Sequence, residues 1–289
     1  MFRDAACIAL GDFVSQFPDE SVNDLDDLYK LWFEHLSDNI PSVREDSALA
    51  LGKILRVDKL AKEHGAEKRA VEHIQRYINE VQKQKADDKY MPHGVEPANV
   101  KFGAYENTTT FGVAAKRIRD NDQTLHSEQQ VYSCGSLAPK LKRATRSGCM
   151  DHGFSRDRAP WEYTDGCVHL MKELICAMPQ SKYFDQFVPA IIPTVASKRN
   201  FAHYHELQQT IWNAVPQIAE AVGKRKFKMY LELLLVPMVE TLECKNRLAM
   251  NAAGSCITFC NKFIGSRFFV PRLKPDQLQI IQNSQFVQL

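Results

Sequence analysis

This 289-residue chain lacks any run long and apolar enough to span a membrane. Its longest uncharged stretch of note, Leu248 to Asn261, is 14 residues and includes Asn, Ser and Thr, where a span needs about 20 mostly apolar residues. The opening Met1-Phe2-Arg3-Asp4 brings charge where a signal peptide would build its apolar region, so no leader is expected. An excess of charge is missing too. With 37 Lys+Arg, 35 Asp+Glu and a net charge of +2, the chain does not have the basic surplus of a dedicated nucleic-acid binder. Eight cysteines are too few for a disulfide scaffold. Cys7, Cys167, Cys176, Cys256 and Cys260 sit inside apolar helical patterns, as small buried thiols do, which points to a reducing, intracellular compartment. Glycine and proline number 13 each and are unevenly spread: six glycines and four prolines fall within residues 87–160. The remainder is almost free of helix breakers and is expected to be helical. A helical chain of this length needs more than one small bundle core, so internal repeats come first.

A repeat is present. Phe2-Arg3-Asp4-Ala5-Ala6-Cys7-Ile8-Ala9-Leu10-Gly11 returns 41 positions later as Val43-Arg44-Glu45-Asp46-Ser47-Ala48-Leu49-Ala50-Leu51-Gly52. A looser copy begins at Tyr163 and runs through Asp165-Gly166-Cys167-Val168. A second series pairs Phe187-Val188-Pro189-Ala190-Ile191 with Leu235-Val236-Pro237-Met238-Val239, 48 positions apart. Periods near 40–47 built from paired helices mark an α-solenoid. Apolar residues recur three or four apart, as in Leu28, Leu31, Trp32 and Leu36, or, after Val43, in Ala48, Leu51 and Leu55. One hairpin cannot bury such a stripe alone, so neighbours must stack.

The segment Leu31 to Leu55 resembles a HEAT repeat, an armadillo-like α-solenoid unit: a first helix ending at Leu36-Ser37-Asp38, a turn with Pro41, then Val43-Arg44 opening a second helix. The resemblance covers some 200 of the 289 residues, is good over 2–14 and is looser after 160. It implies an all-α, HEAT-type α-α superhelix of about four to five helical hairpins with one long irregular insertion. It also implies that Asp38 and Arg44 join hydrogen-bonded ladders between repeats. Fold resemblance of this kind fixes function poorly.

The expected helices are 2–16, 24–37, 42–56, 66–85, 161–178, 183–197, 202–222, 227–243 and 247–263. Residues 1–86 then form N-terminal repeats with an incomplete first unit. Residues 87–160 form an irregular, partly disordered insertion in an intra-repeat turn, 161–272 C-terminal repeats, and 273–289 a tail. Because the chain opens inside what reads as a second helix, the sequence suggests a fragment of something longer. Pro189, Pro193, Pro216 and Pro237 fall inside expected helices, where they would shape curvature. An insertion of about 74 residues calls for a functional or disordered reading. It also carries the basic run Lys140, Lys142, Arg143 and Arg146.

Candidate chemistry is sparse. Cys134, Cys149 and His152 are the candidate zinc ligands, but they offer one close pair where structural zinc commonly uses two. His205-Glu206 has the order of an iron-binding pair, yet Glu34-His35, Glu63-His64 and Glu72-His73 are reversed and scattered. No phosphate loop, nucleophile elbow or H-E-x-x-H helix occurs. The expectation is therefore a non-catalytic scaffold or adaptor without cofactor or metal that binds protein partners, with no membrane and no nucleic acid. Its candidate contacts are Trp32, His35, Arg44, Lys140, Lys142, Arg143 and Arg146. Competing readings are a tubulin-, cytoskeleton- or cilium-associated protein, a karyopherin-like transport adaptor, a phosphatase scaffold subunit, or a HEAT-like metal-dependent enzyme. The expected location is cytoplasmic, with cytoskeletal, ciliary or nuclear placement open. A homo-oligomer or larger complex follows if the chain is a fragment.

Overall fold

The computed structural model describes residues 2–83, 160–197, 204–244 and 246–288. The described residues are all-helical. The principal elements are α1 (Phe2–Gln16), α2 (Leu25–His35), α3 (Pro41–Leu55), α4 (Ala66–Lys83), α5 (Pro160–Ala177), α6 (Tyr183–Ser197), α7 (Tyr204–Val222), α8 (Leu231–Leu242), α9 (Arg247–Ile264) and α10 (Pro275–Asn283). Among them, no helix is long and apolar enough to cross a membrane.

The helices sort into two layers. In one, α1, α3, α5, α7 and α9 each pack against the next. In the other, α2, α4, α6 and α8 each pack on the helix that follows them in sequence. The pairing of α4 with α5 joins helices 76 residues apart in sequence, and Tyr77 meets the Tyr163 ring edge-on at 5.5 Å.

The local causes are legible. Pro41 opens α3 at a position whose N–H would be unpaired in any case. In α4 the buried residues Ala66, Ala70, Ile74, Tyr77 and Ile78 fall on one stripe while Lys68, Arg69, Glu72 and Arg76 face water, the pattern of a half-buried helix. Asn246 caps α9, its side-chain oxygen accepting from the N–H groups of Leu248 at 2.9 Å and Ala249 at 3.1 Å. The four prolines expected inside helices lie in α6, α7 and α8.

Two glycines set how closely neighbouring segments approach. A methyl group on Gly166 of α5 would lie 1.8 Å from the Leu36 carbonyl oxygen, and one on Gly52 of α3 would lie 2.3 Å from Glu173 Oε2. Both positions admit hydrogen only. A continuous core runs through the stack, with Trp32, Trp212, Phe184, Phe187, Phe227 and Phe269 fully enclosed.

Two expectations are corrected. Residues 273–289 are not a bare tail: they hold α10, which packs on α8 and buries Ile281. The expected helix 227–243 is split, with helical turns at Lys224–Phe227 and Lys228–Tyr230 ahead of α8. The insertion falls almost wholly outside the described residues.

A polar cleft across three helices

A cleft of about 250 Å³ opens along the layer formed by α3, α5 and α7. Its floor is a buried charge cluster. Arg44 sits in the first turn of α3, only 1% exposed. Its Nε donates to Asp165 Oδ2 at 2.8 Å, and another guanidinium nitrogen donates to the Asp38 carbonyl at 2.7 Å. Glu162 Oε1 lies 4.0 Å away. The guanidinium carbon stands 4.9 Å from the centre of a Trp161 ring. Asp165 also accepts from the Thr210 hydroxyl at 2.6 Å. One carboxylate thereby joins α3, α5 and α7.

Burying charge is costly unless every charge finds a partner, and removing one partner of such a set typically costs about 3–5 kcal/mol. The cluster therefore fixes the relative position of the three helices more than it adds stability. It also consumes the cations of the cleft. Arg44 is committed to Asp165 and Asp38, and the nearly buried Lys172 has its ammonium 3.1 Å from Glu173 Oε1. His169 stands 3.7 Å from Asp165 Oδ2. Burial holds its pKa below the ordinary imidazole value, against the opposing pull of Asp165, so it is neutral near pH 7.

Above the floor the cleft is edged by Glu45 of α3 and by Glu206, Gln209, Asn213 and Gln217 of α7. Gln209, Asn213 and Gln217 are spaced four apart and form one row of primary amides along α7, with Asn213 and Gln217 well exposed. Four helical residues rise about 6 Å, close to the roughly 6.6–6.8 Å between alternate residues of an extended chain. Each amide offers both a donor and an acceptor.

The expected contact residues are placed as follows. Trp32 has no exposed surface, and its indole N–H donates to the Cys7 carbonyl at 3.3 Å; it is a core residue, not a contact, because its ring is wholly buried and its one polar group is spent on α1. His35 is half-buried in the last turn of α2. Arg44 belongs to the cleft, but as its floor. Lys140, Lys142, Arg143 and Arg146, and the candidate zinc ligands Cys134, Cys149 and His152, lie outside the described residues. Among the described residues no group of three or more His, Cys, Asp or Glu side chains is placed to hold a metal ion.

Sequence reasoning missed Asp165, His169, Thr210 and the α7 amides. One signal was available: Glu162 and Asp165 fall among the apolar positions of α5, and buried acids demand a cation from elsewhere. Comparison with known protein families, with curated proteins and with solved structures finds no match to this chain.

Proposed function

We propose that the chain is a non-catalytic scaffold of the HEAT-repeat type, and that its polar cleft takes up an extended segment of a partner protein. The row Gln209, Asn213 and Gln217 carries this reading. Its spacing matches the repeat of an extended backbone, and its amides can pair with both peptide N–H and C=O groups. The commitment of Arg44 and Lys172 to internal acids leaves the edge acidic and amide-bearing, which favours a segment with Lys or Arg side chains near Glu45. Thr210 spends its hydroxyl proton on Asp165, so it serves as a positioning group for the floor rather than as a nucleophile.

The test is quantitative affinity purification with the full chain and with a Gln209→Ala, Asn213→Ala, Gln217→Ala triple variant. These side chains lie at the cleft edge, where each substitution should change stability by no more than about 0.5 kcal/mol. A defined partner should be lost from the variant while the unfolding midpoint stays in place. Unchanged recovery of every partner would sink the reading. Deleting residues 87–160 in parallel asks whether the insertion holds a separate contact.

A further inference from the structure

Helix α1 carries two lengthwise faces with different fates. One meets α3. There the Ser47 hydroxyl lies 3.4 Å from Cys7 Sγ, and Lys53 Nζ lies 2.5 Å from Asp12 Oδ1. Ala50 presses on Gly11 so closely that a methyl group on Gly11 would stand 2.7 Å from Ala50 Cβ. The other face shows Ala6, Ala9 and Phe13 to solvent. Phe13 is 52% exposed and Phe17 46%, their rings 5.3 Å apart.

The 41-residue repeat says what this second face is. Shifted by one period, Ala6, Ala9 and Phe13 become Ser47, Ala50 and Ile54. Those three residues have no exposed surface, and Ser47 and Ala50 are the ones that dock α3 onto α1. The exposed stripe of α1 is therefore the register copy of a docking face already in use one repeat later. The other end of the same layer differs. There residues 284–288 lie on α9, with the Gln288 N–H donating to Thr258 Oγ1 at 3.0 Å and the Phe286 carbonyl pressed against Gly254.

We infer that the exposed face of α1 is an acceptor surface for one further helical hairpin, stacked in the α1–α3 register and presenting a glycine or similarly small residue where α1 presents Gly11 to Ala50. Continuity with the α1–α3 interface argues for a hairpin. Area argues against a second copy meeting the face across a two-fold axis. A 15-residue helix is about 22 Å long and 10–12 Å wide, so it offers well under the roughly 800 Å² per partner that a stable dimer buries. A hairpin adds the contact of its other helix, as α2 does beside α3. This inference does not depend on the cleft.

The probe is the chain's own hairpin. A second copy of residues 2–42 is inserted directly before Phe2 of the full chain, which supplies the hairpin at high effective concentration. Amide hydrogen exchange is then followed in the original α1. Exchange there should slow by about tenfold or more, as expected when a terminal repeat gains a stacked neighbour. Phe13→Glu in the original copy should abolish the gain, as should Gly11→Leu confined to the added copy. Because Phe13 is half-exposed, Phe13→Glu should leave the circular dichroism of the unduplicated chain unchanged. Two results overturn the inference. One is unaltered α1 exchange beside an added segment that exchanges as unfolded chain. The other is a concentration-dependent dimer of the unmodified chain that Phe13→Glu dissolves, which would assign the face to a second copy.

Discussion

The seam between α3 and α5 and the seam between α7 and α9 join equivalent helices by different chemistry. The first buries Arg44, Glu162, Asp165 and Glu173 and is closed by Arg56, which donates to Glu173 Oε2 at 2.9 Å. The second joins α7, which buries Ile211, Val215 and Ile218, to α9, which buries Ala253, Cys256, Ile257 and Cys260. Apolar packing is non-directional and tolerates sliding and volume-conserving change. Hydrogen-bonded charge holds one geometry and punishes the loss of any partner. The cleft lies over the charged seam, where the helices are held in place.

Arg44→Ala tests this contrast most severely. It leaves two buried carboxylates without their cation and should cost about 3–5 kcal/mol in urea unfolding. Replacing Arg44, Glu162 and Asp165 together with apolar residues should cost less than Arg44→Ala alone. If the single change proves the milder one, the cluster is not acting as a paired set. Next is Gly166→Ala, whose new methyl group would meet the backbone oxygen of Leu36; backbone yields poorly, and a loss of about 3 kcal/mol is expected.

A third prediction concerns His73, which is mostly buried, stacked on Phe33 at 4.9 Å and edge-on to Tyr163 at 5.3 Å. Burial, helped by the nearby positive charge of Arg76, lowers its pKa from 6.5 to about 4. The unfolded chain therefore binds this proton more readily than the folded one. The stability tied to neutral His73 is complete above pH 6.5 and is lost as pH falls from there toward 4, by about 2 kcal/mol at pH 5. In His73→Phe that part of the pH dependence should vanish, read as a flatter unfolding midpoint between pH 7.5 and 5.

The apolar side should respond more gently. Thr241→Val strips the acceptor from the buried Trp212 indole N–H, a bond of 3.0 Å, and should cost about 1–2 kcal/mol. Ile257→Val should cost about 1 kcal/mol. A loss at Ile257 as large as that at Arg44 would erase the distinction between the seams.

Much of the helical frame could be read from the chain. The 41-residue offset aligned Gly11 with Gly52 and Arg3 with Arg44, and most helix limits followed from apolar spacing. Helix α10 escaped because it lies past the last repeat and opens on a proline. Pro275 in fact occupies the first turn of that helix, where proline fits. The cleft was less legible. Arg44, Asp165 and Thr210 come from three helices and share no local motif, and only tertiary packing brings them together. Trp32 misled for the opposite reason: aromatic residues suit interfaces and cores alike, and spacing alone does not say which.

The single carboxylate of Asp165 also has a mechanical meaning. Its two oxygens grip Arg44 on one neighbouring helix and Thr210 on the other, so any shear of α3 past α5, or of α7 past α5, must break a short hydrogen bond. The middle of the stack is riveted. When the helical stack is pulled or bent, the first yielding is expected at the greased joint between α7 and α9, and the mouth of the cleft should keep its width under load.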